Sequence, residues 1–301
     1  MGSCLSGTQC DGFRGLPPHG AMTLNANERI PMANHTASET YEILAIKYAE
    51  RLERTRRENY LFDDDHASRQ PIDFFVWVIR NGARTIVVDT GYDRAEAARR
   101  ERTLSHEPRD ALKSIGIDAA KVDQVVVTHL HWDHAGCLDH FEAAKFHLQE
   151  AEMAYATGAC MCEGVLRMPF TADHVCAMVK RVYSGKVAFH DGDAEIAPGV
   201  SVHKIGGHSR GLQCVRVMTA RGPVVLASDA SHFYENFEKR KPFPIVVDVM
   251  DSLRGYDTLQ TLAGSAQRVI PGHDPLVLAR YPALNKATQG VVHRLDVAPK
   301  E

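Results

Sequence analysis

Four side chains able to bind a metal crowd into six positions, His129-Leu130-His131-Trp132-Asp133-His134, directly after the apolar run Val125-Val126-Val127-Thr128. A short continuous apolar run of this kind is expected of a strand covered on both faces. Residues two apart in an extended segment point the same way, so His129 and His131 can reach one ion together. Asp133 and His134 follow where the chain must turn towards a helix, and they can address a second ion beside the first. Burying so many polar groups without a metal is costly. The bland alternative is a solvated His-rich loop, and the apolar strand in front of the cluster weighs against it.

Three further positions can complete a donor set. His208 lies in Gly206-Gly207-His208-Ser209, after a strand predicted over residues 200–205. Asp229 lies in Ala227-Ser228-Asp229-Ala230, at the end of a strand predicted over residues 224–227. His273 lies in Pro271-Gly272-His273-Asp274, after a strand predicted over residues 268–270. A lone loop histidine is an ordinary surface residue. These positions instead recur at strand ends, flanked by glycine, where a rigid scaffold carries its binding residues.

The rest of the chain alternates strands and helices without a compositional break. Ile72–Arg80 and residues 84–89 flank Asn81-Gly82, the strongest short hairpin signal. An earlier strand is expected over residues 41–49, with a charged loop over 51–70. Helices are expected over 94–107, 108–115, Glu150–Thr157, 171–183 and 253–266, and short strands over 145–148, 187–189 and Gln213–Thr219. Residues 1–38 are rich in Gly, Ser, Pro and Asn and read as a flexible extension, leaving 39–301 as one domain. Met1-Gly2-Ser3-Cys4-Leu5-Ser6 fits the N-myristoylation pattern formally and is read as a chance match.

Composition narrows the function. A net charge of −3 lacks the basic excess of a general nucleic-acid binder. No apolar run approaches the roughly 18–20 residues needed to span a bilayer. The seven cysteines show no disulfide framework and read as idle thiols in a reducing cytoplasm. The partners expected are a small-molecule substrate, no nucleic acid and no membrane, for a cytoplasmic monomer or homodimer.

The order His-x-His-x-Asp-His, then His, Asp and His, resembles the metallo-β-lactamase superfamily over roughly residues 41–282. The resemblance implies an α/β fold, an αββα sandwich of two mixed β-sheets flanked by helices, with metals at one edge. It implies two Zn2+ ions, or other divalent metals. His129, His131 and His208 would bind the first, and Asp133, His134 and His273 the second. Asp229 would bridge both together with a hydroxide, and Asp89 would support the site from behind. Asp133 would also shuttle a proton to the leaving group.

Aspartate at 229 is unlike the true β-lactamases, which carry cysteine there. Only some 28 residues follow His273, too few for the helical domain of glyoxalase II enzymes. Gly207-His208-Ser209 with Gly211, and Ser228-Asp229-Ala230-Ser231 running on through Tyr234 to Glu238, are most similar to the N-acyl homoserine lactonase branch. That branch implies a hydrolase opening a lactone by attack of metal-bound hydroxide, and a role in quorum quenching. Those lactonases place a tyrosine three residues after the bridging aspartate, where this chain has His232. Either His232 supplies the hydrogen bond to the substrate carbonyl, or Tyr234 shifts in, or the role is absent. Phe62, Trp132, Met168 and Phe170 are candidates for lining an acyl pocket. The alternatives are thioester, aryl halide or phosphodiester hydrolysis on the same fold, an iron-dependent persulfide dioxygenase, or a metal-binding protein without turnover.

Overall fold

Alternation of apolar side chains builds the first hairpin. In the computed structural model, which describes residues 39–300, β1 (Glu42–Arg51) and β2 (Ile72–Arg80) pair antiparallel. Ile43, Ala45, Phe75, Trp77 and Ile79 point into one apolar cluster, and Leu44, Ile46, Tyr48, Phe74, Val76 and Val78 into another. This is the two-residue period of a strand buried on both faces. β3 (Thr85–Val88) returns after Asn81-Gly82 and continues the pattern, with Ile86 and Val88 on one side and Val87 on the other.

Helices α1 (Arg94–Arg99) and α2 (Pro108–Ser114) precede β4 (Gln124–Val126) and β5 (Lys145–Gln149). Next come α3 (Glu150–Thr157), α4 (Gly164–Arg167), α5 (Ala172–Tyr183) and β6 (Val187–His190). The second half runs β7 (Ala194–Ala197), β8 (Val200–Lys204), β9 (Gln213–Thr219), β10 (Gly222–Ser228), α6 (Tyr234–Glu238) and α7 (Val249–Ala263). It closes with β11 (Val269–Pro271), α8 (Leu276–Arg280) and β12 (Val292–Arg294).

The strands form a seven-stranded sheet, β12-β1-β2-β3-β4-β5-β6, and a five-stranded sheet, β11-β10-β9-β8-β7. Both are mixed: β3 to β6 are parallel beside antiparallel β12, β1 and β2, and β10–β11 is the parallel pair of the smaller sheet. Side chains of β1–β4 meet those of β8–β11 in one core. The opposite face of the larger sheet is covered by α1, α2, α3 and α5 through Ala97, Leu112, Tyr155 and Met178. α7 covers the smaller sheet with Tyr256, Leu259 and Ala263. This is the expected αββα sandwich.

Several details differ from expectation. The helix expected over 94–107 stops at Arg99, because the chain turns away through Glu101 (φ +55°) and ties Ser105 and Arg102 back to Tyr48 and Ala97. After His134 there is no α-helix, only a turn and a 3-10 turn over Leu138–His140. β7, α6, α8 and β12 lie in stretches too short or too mixed to show a period. The charged loop over 51–70 is pinned: Arg56 pairs with Glu235 at 2.7 Å and with Asp63 at 2.6 Å, and Asn59 and Tyr60 are buried.

The extension expected over 1–38 lies outside the described residues, as do Cys4 and Cys10. Among the described residues the cysteines are free thiols, and no helix is long and apolar enough to cross a membrane.

Candidate metal centre

The strands end at one edge of the sandwich and deliver their acidic and imidazole groups to a common place. Asp89, just after β3, sits at φ +60°, and Ser228, the last residue of β10, at φ +48°. Both are left-handed conformations that non-glycine residues adopt at some cost and that cluster at functional sites. Asp89 accepts hydrogen bonds from the Thr128 N–H (2.8 Å) and hydroxyl (2.8 Å), which fixes the chain where it leaves β4. It also faces His134 Nδ1 at 2.8 Å.

Around Asp229 the imidazoles converge. His273 Nε2 and His232 Nε2 each lie 2.9 Å from its carboxylate, His134 Nε2 and His208 Nε2 lie 3.2 Å away, and His129 Nε2 lies 3.8 Å away. His131 Nδ1 lies 2.9 Å from His208 Nε2. Asp133 is the outlying member, its Oδ2 3.7 Å from His134 Nε2 and 3.9 Å from His273 Nε2. His129, His131, His208 and Asp229 form one tight group, Asp133, His134 and His273 a second, and Asp229, His232 and His273 a third.

Tautomers follow from the outer partners. Nδ1 of His208 donates to the Ile245 carbonyl at 2.7 Å, and Nδ1 of His273 to the Asp73 carbonyl at 2.8 Å. Nδ1 of His134 donates to Asp89. Each therefore turns Nε2 inward, the position from which a metal would displace any proton and take the lone pair. The Nε2 atoms of His129 and His134 are buried and make no hydrogen bond, which is costly unless something else fills their lone pairs. Ligands held about 2.1 Å from a tetrahedral ion stand about 3.4 Å from one another, and the spacings here bracket that value. The residues fit a divalent metal.

Electrostatics agrees. Burial pushes His129 and His131 well below the usual imidazole range, so both are neutral. At His134 and His273 burial acts the same way, but Asp229 and neighbouring carboxylates outweigh it and hold both above the usual range. This side of the cluster favours positive charge.

His232 and Tyr234 part company. The His232 ring stacks on Phe243 at 3.5 Å between centroids, and burial pushes it down to about 3 despite Asp229, so it is neutral. Tyr234 is buried in the core away from the cluster, with the Arg280 guanidinium 3.8 Å over its ring. The structure therefore does not bring Tyr234 to the site.

A cavity of ≈ 310 Å³ opens over Asp133, His208, Asp229, His232 and His273, bounded by Phe74, Trp132, Met168 and Phe243. A neighbouring apolar cavity of ≈ 230 Å³ shares Met168, Pro169, His208 and Ile245 with it and adds Val165, Leu166 and Val247. Phe170 packs edge-on against His131 at 4.6 Å. Phe62 is 90% exposed and lines neither cavity. A larger cavity of ≈ 610 Å³ between α2 and residues 138–142 holds none of the cluster.

Sequence reasoning missed Glu152, the third residue of α3. Its buried carboxylate accepts from Leu130 N (2.9 Å), the Ser209 hydroxyl (2.7 Å) and Gly211 N (3.0 Å), joining the loops that carry His129–His131 and His208. A Cβ on Gly211 would overlap the Glu152 backbone, so that position must be glycine. In sequence, an acidic residue in a first helical turn looks like ordinary helix-end charge. Only Gly211, close behind His208, hints at the close approach.

Comparison with known proteins gives the same picture. N-acyl homoserine lactonase AttM of Rhizobium johnstonii is 29% identical over 178 residues, 57% of this chain and 65% of that protein. An N-acyl homoserine lactonase of a Bacillus species is 32% identical over 133 residues, 44% of this chain and 48% of that protein. The chain thus spans less than two thirds of the length of either relative. Among solved structures, a quorum-quenching N-acyl homoserine lactone lactonase shares the fold with a TM-score of 0.66 at 21% identity, covering 79% of this chain and 94% of its own. AidC, a dizinc quorum-quenching lactonase in complex with a product, shares it with a TM-score of 0.57 at 15% identity, covering 77% and 86%. The metallo-β-lactamase superfamily model matches residues 75–276, more than half of the sequence, and the chain belongs to that superfamily.

Proposed function

We propose that this chain is a two-metal hydrolase that opens a lactone ring, carried by residues 39–301 as a single domain. The observation that carries the reading is the convergence of five imidazoles on the Asp229 carboxylate. His129, His131 and His208 would hold one ion, Asp133, His134 and His273 the other, with Asp229 shared. Two Zn2+ ions suit the nitrogen and oxygen donors best. Bound there, they would polarise the ester carbonyl and lower the pKa of water to about 7, making hydroxide available at neutral pH.

The protein's own groups do the rest. Asp89 and the Asp73 and Ile245 carbonyls hold the ligand imidazoles in one tautomer and orientation. Asp133, which lines the cavity, would pass a proton to the departing ring oxygen. The single N–H of neutral His232 faces the Asp229 carboxylate at 2.9 Å, and a substrate carbonyl entering there would share it, while Phe243 keeps the ring in plane. The apolar cavity beside His131 and His208 suits the acyl portion. The choice of lactones among ester-like substrates is supported by the N-acyl homoserine lactonase relatives.

The test is acid release, followed by pH-stat, from lactones, thioesters and aryl esters with metal-loaded protein. Acid from lactones, abolished in Asp133→Asn, is expected. Turnover of thioesters or aryl esters with no lactone opened would contradict the reading.

A further inference from the structure

One wall of the cavity over the cluster carries four guanidinium groups, Arg51, Arg54, Arg100 and Arg102. Two have acidic partners. Arg51 pairs with Glu58 at 3.0 Å. Arg100 pairs with Glu96 at 2.5 Å, donates to the Phe170 carbonyl at 3.0 Å and lies 4.7 Å over the Trp132 ring.

Arg54 and Arg102 do not. Arg54 donates from Nε to the Asn59 side-chain carbonyl and from Nη2 to the Glu58 backbone carbonyl at 2.6 Å. Its Cζ stands 5.1 Å from the centre of Phe243, the ring stacked on His232. Among the described residues Arg102 donates only to the Glu101 carbonyl, at 3.2 Å. Among the described residues neither guanidinium has a carboxylate within 4.0 Å.

The acidic groups nearby are committed elsewhere. Glu58 takes Arg51 and the Thr55 N–H (3.0 Å), Glu96 takes Arg99, Arg100 and Thr171, and Asp133 and Asp229 belong to the metal cluster. Burial, with Arg51 and Arg102 close by, pushes Arg54 down to about 10, which leaves it cationic at neutral pH. Four guanidinium groups thus line one cavity with the carboxylates of Glu58, Asp133 and Asp229, and two of the four have no carboxylate paired to them among the described residues. Such a cluster is unfavourable on its own and favourable once an anion enters.

Resting on the lactone-opening reading, we propose that the substrate carries a carboxylate of its own, held by Arg54 and Arg102, besides the ester opened at the His/Asp cluster. The planar guanidinium fork matches a carboxylate in shape as well as charge. Hydrolysis adds one water across the ring ester. A C–O bond forms at the acyl carbon, the ring C–O bond breaks and the ring oxygen takes a proton. The product is a hydroxy dicarboxylate, with one proton released per turnover.

The experiment compares a γ-butyrolactone bearing a ring carboxylate with its methyl ester, on metal-loaded protein. The acid is expected to have the higher kcat/KM, on the order of tenfold or more. Arg102→Gln and Arg54→Gln should each lose that preference through the KM for the acid, so that the acid and its methyl ester are used alike. Arg102→Gln is the safer variant, since that side chain is bound to one carbonyl only. Equal use of the two substrates, or a preference that survives both variants, would overturn the proposal.

Calorimetry with the ring-opened dicarboxylate and its monomethyl ester separates the two readings. If neither lactone releases acid, lactone opening fails. Tighter binding of the dicarboxylate, lost in Arg102→Gln, would still uphold the anion site, and equal binding would overturn it.

Discussion

Glu152 and Ser209 stand 57 positions apart in the chain, and their side chains meet at 2.7 Å, hydroxyl to carboxylate. With the Leu130 and Gly211 amides on the same carboxylate, this contact sets the loop of His208 against the loop of His129 and His131. Glu152→Gln keeps the shape but turns an amide nitrogen towards a donor. Metal affinity is expected to fall about tenfold to a hundredfold, as when outer partners of metal ligands are lost. Chelator competition measures it, and far-UV circular dichroism should be unchanged. Wild-type affinity in the variant would remove Glu152 from this role.

Glu96 ties α1 to the segment entering α5, through Arg99, Arg100 and Thr171. Burial pushes its carboxyl up, but those hydrogen bonds outweigh it and hold it at about 2, against an ordinary 4.5. A carboxyl depressed in the folded state stabilises above its unfolded pKa and loses that contribution as the pH falls through its folded one. Because solvent screens the exposed Arg99, the contribution is on the order of 1 kcal/mol. Urea unfolding should show Glu96→Gln weaker than wild type at neutral pH, with the gap narrowing below 4.5 and gone near 2. A gap independent of pH would mean the carboxylate's charge is not what matters.

His232→Phe preserves stacking on Phe243 and removes the nitrogen facing Asp229. If His232 steadies the substrate carbonyl, kcat falls by about a hundredfold, as for loss of a single donor to a developing oxyanion, with metal content intact. Loss of metal instead would make His232 a ligand alongside Asp229 and His273.

Phe62→Ala should leave kcat/KM unchanged and stability within about 0.5 kcal/mol, because the side chain is 90% exposed and lines neither cavity. A drop in activity with long-chain lactones would show that Phe62 reaches the substrate.

The sandwich was legible where side chains alternate or run apolar, as in β2 and β9, whose limits match expectation. The metal-type residues were legible because strand ends place them in a motif and glycines mark the turns. What escaped depended on contacts distant in sequence. β12 joins the larger sheet only by meeting β1, and Glu152 matters only because Gly211 lets the chain pass close. The arginine wall is invisible in a chain of net charge −3, since Arg51, Arg54, Arg100 and Arg102 come from two separate segments. Phe62 misled because an aromatic residue in a loop carries no sign of which way it faces.

Metal content per chain, measured by plasma mass spectrometry on wild type and Asp229→Ala, tests the shared centre most directly. Two divalent equivalents in wild type, with loss of metal in the variant, are expected from a carboxylate at the meeting point of both ligand groups. A single iron per chain, or two equivalents that persist without Asp229, would contradict it.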